Sequence, residues 1–192
     1  MQNKHRNSQR NAFGNRRVFR PVMLGPRLLY NPVSEVLIVE LRAAGQQFLP
    51  TRLFMRRKDT ESYEQIGNPA RDVSYESPVT CEKQPRVVFN SFKLEKRGEG
   101  YGGDWAAVYA FNLHTKELTV CTSKDTLAVP ERHTRAWIST LVSLSNDGQK
   151  LYVNVGIEKS AQSGGVVGYY LASLDLMDKK LELVCPLKDV FF

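Results

Sequence analysis

Of the three histidines in the chain, His133 alone has neighbours of a kind that could do chemistry with it. It lies in 130-PERHTRAW-137, beside Glu131, Arg132 and Arg135. An imidazole next to a carboxylate and guanidinium groups is a minimal acid–base set. His114 sits in a predicted hairpin turn and His5 near the N-terminus, so neither joins it, and no Ser–His–Asp arrangement follows from the spacing. Cys81, Cys121 and Cys185 lack CxxC or CxxH spacing, which excludes a zinc site or a disulfide framework as a reading. Cys121 and Cys185 close the alternating runs ELTVC and LELVC, where small buried hydrophobes are expected. Asp147 precedes Gly148 and Asp175 takes the place that Asn112 holds elsewhere, so both carboxylates are read as turn builders. No catalytic residue, cofactor or metal is assigned, and the balance leans away from an enzyme.

The second distinctive stretch is 93-KLEKRGEGYGGDW-105. Its glycines do not form a phosphate cradle, because GxxxxGK[ST] is absent and no helix follows. A long hairpin loop accounts for them. Lys93, Lys96, Arg97, Tyr101 and Trp105 mix cationic and aromatic groups of the kind that recognise a protein or a glycan. With His133 and Arg135 they make the expected partner-binding set. Trp105 and Trp137 also fit plain packing positions.

These residues need a frame, and composition bounds it. The chain has 192 residues, 42% hydrophobic and 24% charged, sufficient for one well-packed domain. No apolar run reaches the ~18 residues of a membrane helix, and MQNKHRNSQRNAFGNRR lacks a secretory apolar core. A cytoplasmic protein is expected, with no membrane partner. The net charge of +7 is local. Lys4, Arg6, Arg10, Arg16, Arg17 and Arg20 sit among the first 20 residues with no acid, leaving 21 basic and 20 acidic groups for the rest. Residues 1–20 therefore read as a basic flexible arm, and nucleic acid is a partner only through that arm.

The remainder, 21–192, is repetitive. A polar turn separates two alternating runs in 142-VSLSNDGQKLYVNV-155, and 169-YYLASLDLMDKKLELVC-185 follows. Upstream, 75-YESPVTCEKQPRVVFNS-91 and 106-AAVYAFNLHTKELTVC-121 repeat the order, with Asn90 matching Asn154 and Phe111-Asn112-Leu113 matching Leu174-Asp175-Leu176. A weaker copy is 28-LLYNPVSEVLIVEL-41 with 52-RLFMRRKDTESYEQIG-67. The units span about 21–70, 71–130 and 131–192. Each is rich in Val, Ile, Tyr, Phe and Leu at period two, without an amphipathic helix. Unit three offers strands at about 137–144, 150–156, 166–175 and 180–185. Four antiparallel strands recurring in fixed order predict an all-β, propeller-type fold.

The pattern S-x-DG-x-x-L-Y-V followed by Y-x-x-L-D-L resembles the repeats of TolB-like β-propellers. Ser145, Asp147, Gly148, Leu151 and Tyr152 match its first half, and Tyr169, Leu174, Asp175 and Leu176 its second. Units one and two keep a proline (Pro32, Pro78) but have Ser34-Glu35 and Glu82-Lys83 in place of the Asp-Gly pair. The resemblance implies a non-enzymatic interaction platform. Three four-stranded blades form only a partial β-propeller, and its two cut faces are expected to be covered. A homodimer, two copies making six blades about a two-fold axis, is the simplest solution. Completion by a different protein, or a two-sheet sandwich, are the alternatives. The apolar end Val190-Phe191-Phe192 fits burial at such a junction. The expected function is a scaffold that binds a protein or glycan through its loop rim. A carbohydrate- or peptide-processing enzyme at the central channel, with His133 supplied twice by a dimer, is the other reading.

Overall fold

The computed structural model describes residues 27–41, 50–97, 100–128, 133–159 and 167–187. These residues form three four-stranded antiparallel sheets, each a meander in chain order. The first holds β1 (Leu28–Asn31), β2 (Val36–Leu41), β3 (Arg52–Arg57) and the two-residue β4 (Glu64–Gln65). The second holds β5 (Val73–Thr80), β6 (Arg86–Arg97), β7 (Gly100–Asn112) and β8 (Leu118–Ser123). The third holds β9 (His133–Leu144), β10 (Lys150–Lys159), β11 (Val167–Asp175) and β12 (Leu181–Pro186). The opening strand of the second sheet, β5, lies against both β1 and β9, so the sheets follow one another through their first strands. This all-β arrangement is consistent with a partial β-propeller.

Burial explains the sequence pattern sheet by sheet. The second sheet is sandwiched, so β6 carries consecutive apolar residues, Val87-Val88-Phe89, in place of alternation. Val88 faces one core with Ile138, Leu151, Val153, Val155 and Ile157 of the third sheet. Val87 and Phe89 face the other, with Val36, Ile38, Leu53 and Met55 of the first. Among the described residues the third sheet is covered on one face only, and β10 alternates accordingly: Leu151, Val153, Val155 and Ile157 are buried while Tyr152 is 37% exposed. Each such buried aliphatic side chain contributes about 1.5–3 kcal/mol against exposure. In the second core the Tyr75, Phe89 and Tyr109 rings cluster with centroids 4.6–6.0 Å apart.

At one end of the molecule, the turn end, consecutive sheets are tied by side chains reaching into the next turn. Asn31, fully buried, donates through Nδ2 to Thr80 Oγ1 at 2.7 Å, to the Gln84 carbonyl at 2.8 Å and to the Cys81 carbonyl at 3.1 Å. Gln84 Nε2 in turn donates to the Asp147 carbonyl at 2.6 Å, and Arg86 Nη2 to the Gly148 carbonyl at 3.0 Å. Asn112 and Asp175 build matching turns. The Oδ1 of Asn112 accepts the His114 and Thr115 amides, and that of Asp175 accepts the Met177 and Asp178 amides. Lys116 and Lys179 then take left-handed backbone at φ 61° and 60°. Asp147 is the turn builder expected of it, accepting the Ser145 hydroxyl at 2.6 Å and the Gln149 amide at 3.0 Å, and these bonds hold its carboxyl below the ordinary range.

Two expectations are corrected. Cys185 is exposed, because it lies on β12, the outermost strand, where no further layer of described residues covers it. The 93–105 stretch is not a loop. β6 runs on to Arg97 and β7 starts at Gly100, paired residue for residue from Lys93↔Asp104 to Arg97↔Gly100. Among the described residues, no helix is long and apolar enough to cross a membrane.

Candidate partner-binding rim

The end opposite the turns carries most of the sequence-predicted site residues. There β6 and β7 outrun their neighbours. β5 begins pairing at Val73↔Lys93, and β8 ends at Ala107↔Ser123. Residues 94–97 and 100–105 therefore project as a two-stranded ribbon whose outer edges are not laddered to any other described strand. The ribbon is anchored at its base, where the Leu94 amide donates to the Asp72 carbonyl at 2.6 Å. Nearby, Arg52 is tied down as it donates to the Ala70, Thr51 and Val73 carbonyls, closing the link into β5. Partial burial lowers its pKa.

Alternation along β6 decides which way the rim side chains point. Val88, Asn90 and Phe92 face the third sheet, so Lys96 is on that side and Lys93 on the side of the first sheet. Both lysines are exposed. The side chains of Arg97 and Tyr101 lie outside the described residues, although their backbones pair as Arg97↔Gly100 and Lys96↔Tyr101.

Trp105 is corrected from a rim contact to a core residue. Its indole is 4% exposed, and Nε1 donates to Asn90 Oδ1 at 3.2 Å. The cause is a bulge. Ser91 pairs with Ala107 and Phe92 with Trp105, so Ala106 is skipped. In an unbroken ladder Trp105 would sit opposite Lys93, but the extra residue turns it onto the face of Phe92 and Asn90.

His133 and Arg135 begin β9 at this same end, opposite Lys159 and Glu158. The His133 side chain is outside the described residues, as are Glu131 and Arg132, so the expected acid–base set lies outside them too. Arg135 is exposed and pairs directly with Glu158 on the far face of the third sheet, since the next pair, Ala136 and Ile157, is buried in the core. Lys96 and Arg135 are thus separated by the thickness of the third sheet. On that far face Trp137 lies over Gly156, whose missing Cβ would come within 2.2 Å of Trp137 Cζ2, and the indole meets Tyr169 edge-on at 6.4 Å. Trp137 is therefore a packing residue, as one of its two readings held. The basic arm 1–20, the loop glycines Gly45, Gly164 and Gly165, and the Val190-Phe191-Phe192 end also lie outside the described residues.

Chemistry elsewhere is sparse. A cavity of about 310 Å³ opens at the turn end, beside Arg86, Asn112 and Glu117, far from the ribbon. Its cationic lining residue, Arg86, is half-buried and committed to the Gly148 carbonyl and to Gln84 Oε1. Among the described residues, no group of three or more His, Cys, Asp or Glu is placed to hold a metal. Burial pushes the Cys121 thiol above its usual range, which disfavours the nucleophilic thiolate there.

No family model matches the chain, and no curated protein sequence matches it. Among solved structures it is similar to a mutant of Trypanosoma rangeli sialidase displaying trans-sialidase activity, with 10% identity and a TM-score of 0.45. That match covers 83% of this chain and 29% of the sialidase chain.

Proposed function

We propose that the chain is a non-catalytic β-propeller scaffold that acts as a homodimer, two copies giving three blades each to a six-bladed ring. It engages a protein or glycan partner at the end from which the β6–β7 ribbon projects. The observation that carries this reading is the ribbon itself. A hairpin that outruns both neighbours exposes lysines and two strand edges that no described strand pairs with, and such edges are where peptides add as strands. The rigid double-sided packing of the second sheet beneath it keeps the ribbon in place without a partner. The three cysteines are unbonded, which supports work in a reducing compartment such as the cytoplasm.

The test compares the full chain with a Lys93→Glu/Lys96→Glu variant on a glycan array and in cross-linking mass spectrometry with proteins of the source cell. Both substitutions are at exposed positions, so the fold is retained. Loss of the captured ligand in the variant supports the reading. Undiminished capture places recognition elsewhere and defeats it.

A further inference from the structure

We infer that the far face of the third sheet is a socket for the first sheet of a second copy of this chain, with Asn154 and Lys150 as its latch. The inference rests on the dimeric reading above and specifies which faces meet and through which groups.

The joint between the second and third sheets shows how one sheet receives the next. There, Asn90 in the middle of β6 donates through Nδ2 to the Ile138 carbonyl on β9, at 3.3 Å. Four residues earlier, Arg86 at the start of β6 donates to the Gly148 carbonyl in the incoming turn. The third sheet repeats this layout. Lys150 starts β10 opposite Asp175, as Arg86 starts β6 opposite Asn112, and those two partners open the matching turns. Asn154 follows Lys150 by four residues, as Asn90 follows Arg86. Leu151, Val153 and Val155 are buried toward the second sheet, so Lys150, Tyr152 and Asn154 face away from it. A cationic donor, a large side chain and an amide donor therefore stand in register on a face that has no further sheet among the described residues.

What fits such a face is already part of this chain. The first sheet is the only one whose leading face is not taken by a preceding sheet among the described residues. That face carries Leu28 and Tyr30, paired with Val39 and Leu37, and Phe54 beyond them on β3. Leu28 is 64% and Tyr30 52% exposed, large apolar groups left in water. Its turn, Pro32–Glu35, occupies the place of the Ser145–Gly148 turn that Arg86 grips. Lys150 reaches the carbonyls of that turn as Arg86 reaches the Gly148 carbonyl at the internal joint, beside an exposed Glu35 that is ion-paired with Lys58 at 2.8 Å. The contact is head to tail, third sheet onto first. Two copies related by a two-fold axis then use both faces of each, and the ring closes without forming a filament.

The full chain is measured by light scattering with Tyr30→Arg and Tyr152→Arg, one substitution on each face. Both side chains are exposed, so each variant still folds, which a cooperative thermal transition checks. Wild type is expected to be a dimer and each variant a monomer at the same concentration. Mixing the two variants restores dimer, because one copy's intact third sheet meets the other's intact first sheet. Asn154→Leu, which keeps the shape and removes the donor, weakens the dimer about tenfold. If wild type is a monomer, the dimeric reading falls and this inference with it. If wild type is a dimer that survives both arginines, or that only one of them dissociates, the assembly stands and the head-to-tail joint is overturned.

Discussion

Asn90 and Ile138 are joined across two sheets by a hydrogen bond that no β-ladder supplies, Asn90 Nδ2 to the Ile138 carbonyl at 3.3 Å. The same amide accepts Trp105 Nε1 at 3.2 Å, so one buried side chain satisfies a group in each of two elements. A buried amide used at both ends stabilises a joint because every alternative leaves polar atoms dry.

Replacing Asn90 with Leu keeps the volume and strands the Trp105 N–H. The expected loss is about 1–3 kcal/mol, the cost of a buried donor without an acceptor. Urea unfolding followed by tryptophan emission measures it. A variant as stable as wild type would mean that the indole finds another acceptor and that the joint does not depend on Asn90.

Gly148 has φ +70°, and a Cβ there would lie 2.5 Å from Gln84 Oε1 and 2.8 Å from Gln84 Cδ. Gly148→Ala therefore adds left-handed strain of about 1–2 kcal/mol and displaces the Gln84 latch on the Asp147 carbonyl. Lys179 shares the left-handed backbone at φ 60°. Lys179→Gly relieves strain there and is expected to gain about 0.5–1 kcal/mol. Opposite shifts in thermal midpoint check the pair.

Burial raises the Tyr75 phenol pKa above its ordinary value of 10, with Tyr109 adding to the shift and Arg52 opposing it. A group whose folded pKa is raised keeps its full contribution below the unfolded pKa and loses it as pH climbs through the folded one. Wild-type stability should thus fall above about pH 10. Tyr75→Phe should fall less over the same window, measured by urea midpoints between pH 8 and 11. Identical alkaline limbs in the two proteins would contradict the assignment.

The fold was most legible where burial is one-sided. Leu151, Val153, Val155 and Ile157 alternate with polar residues, and Asp147-Gly148 marks the turn, so the third sheet's strands were readable to within a few residues, β9 excepted. β9 and the ribbon were underread for one reason. His-Thr-Arg and Lys-Leu-Glu-Lys-Arg have weak strand propensity, and Gly-Tyr-Gly-Gly reads as loop. Their strand form comes from cross-strand pairing, a tertiary effect absent from local composition. Trp105 was assigned to the rim because a bulge leaves no mark in a single sequence, yet one skipped residue, Ala106, moves the indole from surface to core. Asn90 and Asn154, by contrast, stand out as a repeat in the sequence alone, and the structure shows Asn90 bonding across to Ile138.

The chain of turns from Asn31 through Gln84 and Arg86 to Gly148 divides the molecule into a conservative end and a permissive one. Between first and second strands the three sheets spend four, five and five residues, because a longer connection would carry its carbonyls out of the neighbour's reach. Between second and third strands they spend ten, two and seven. Those lengths already differ fivefold within one chain while the sheets keep the same strand order, so that end tolerates changes in length, and with them new specificity, that the turn end does not.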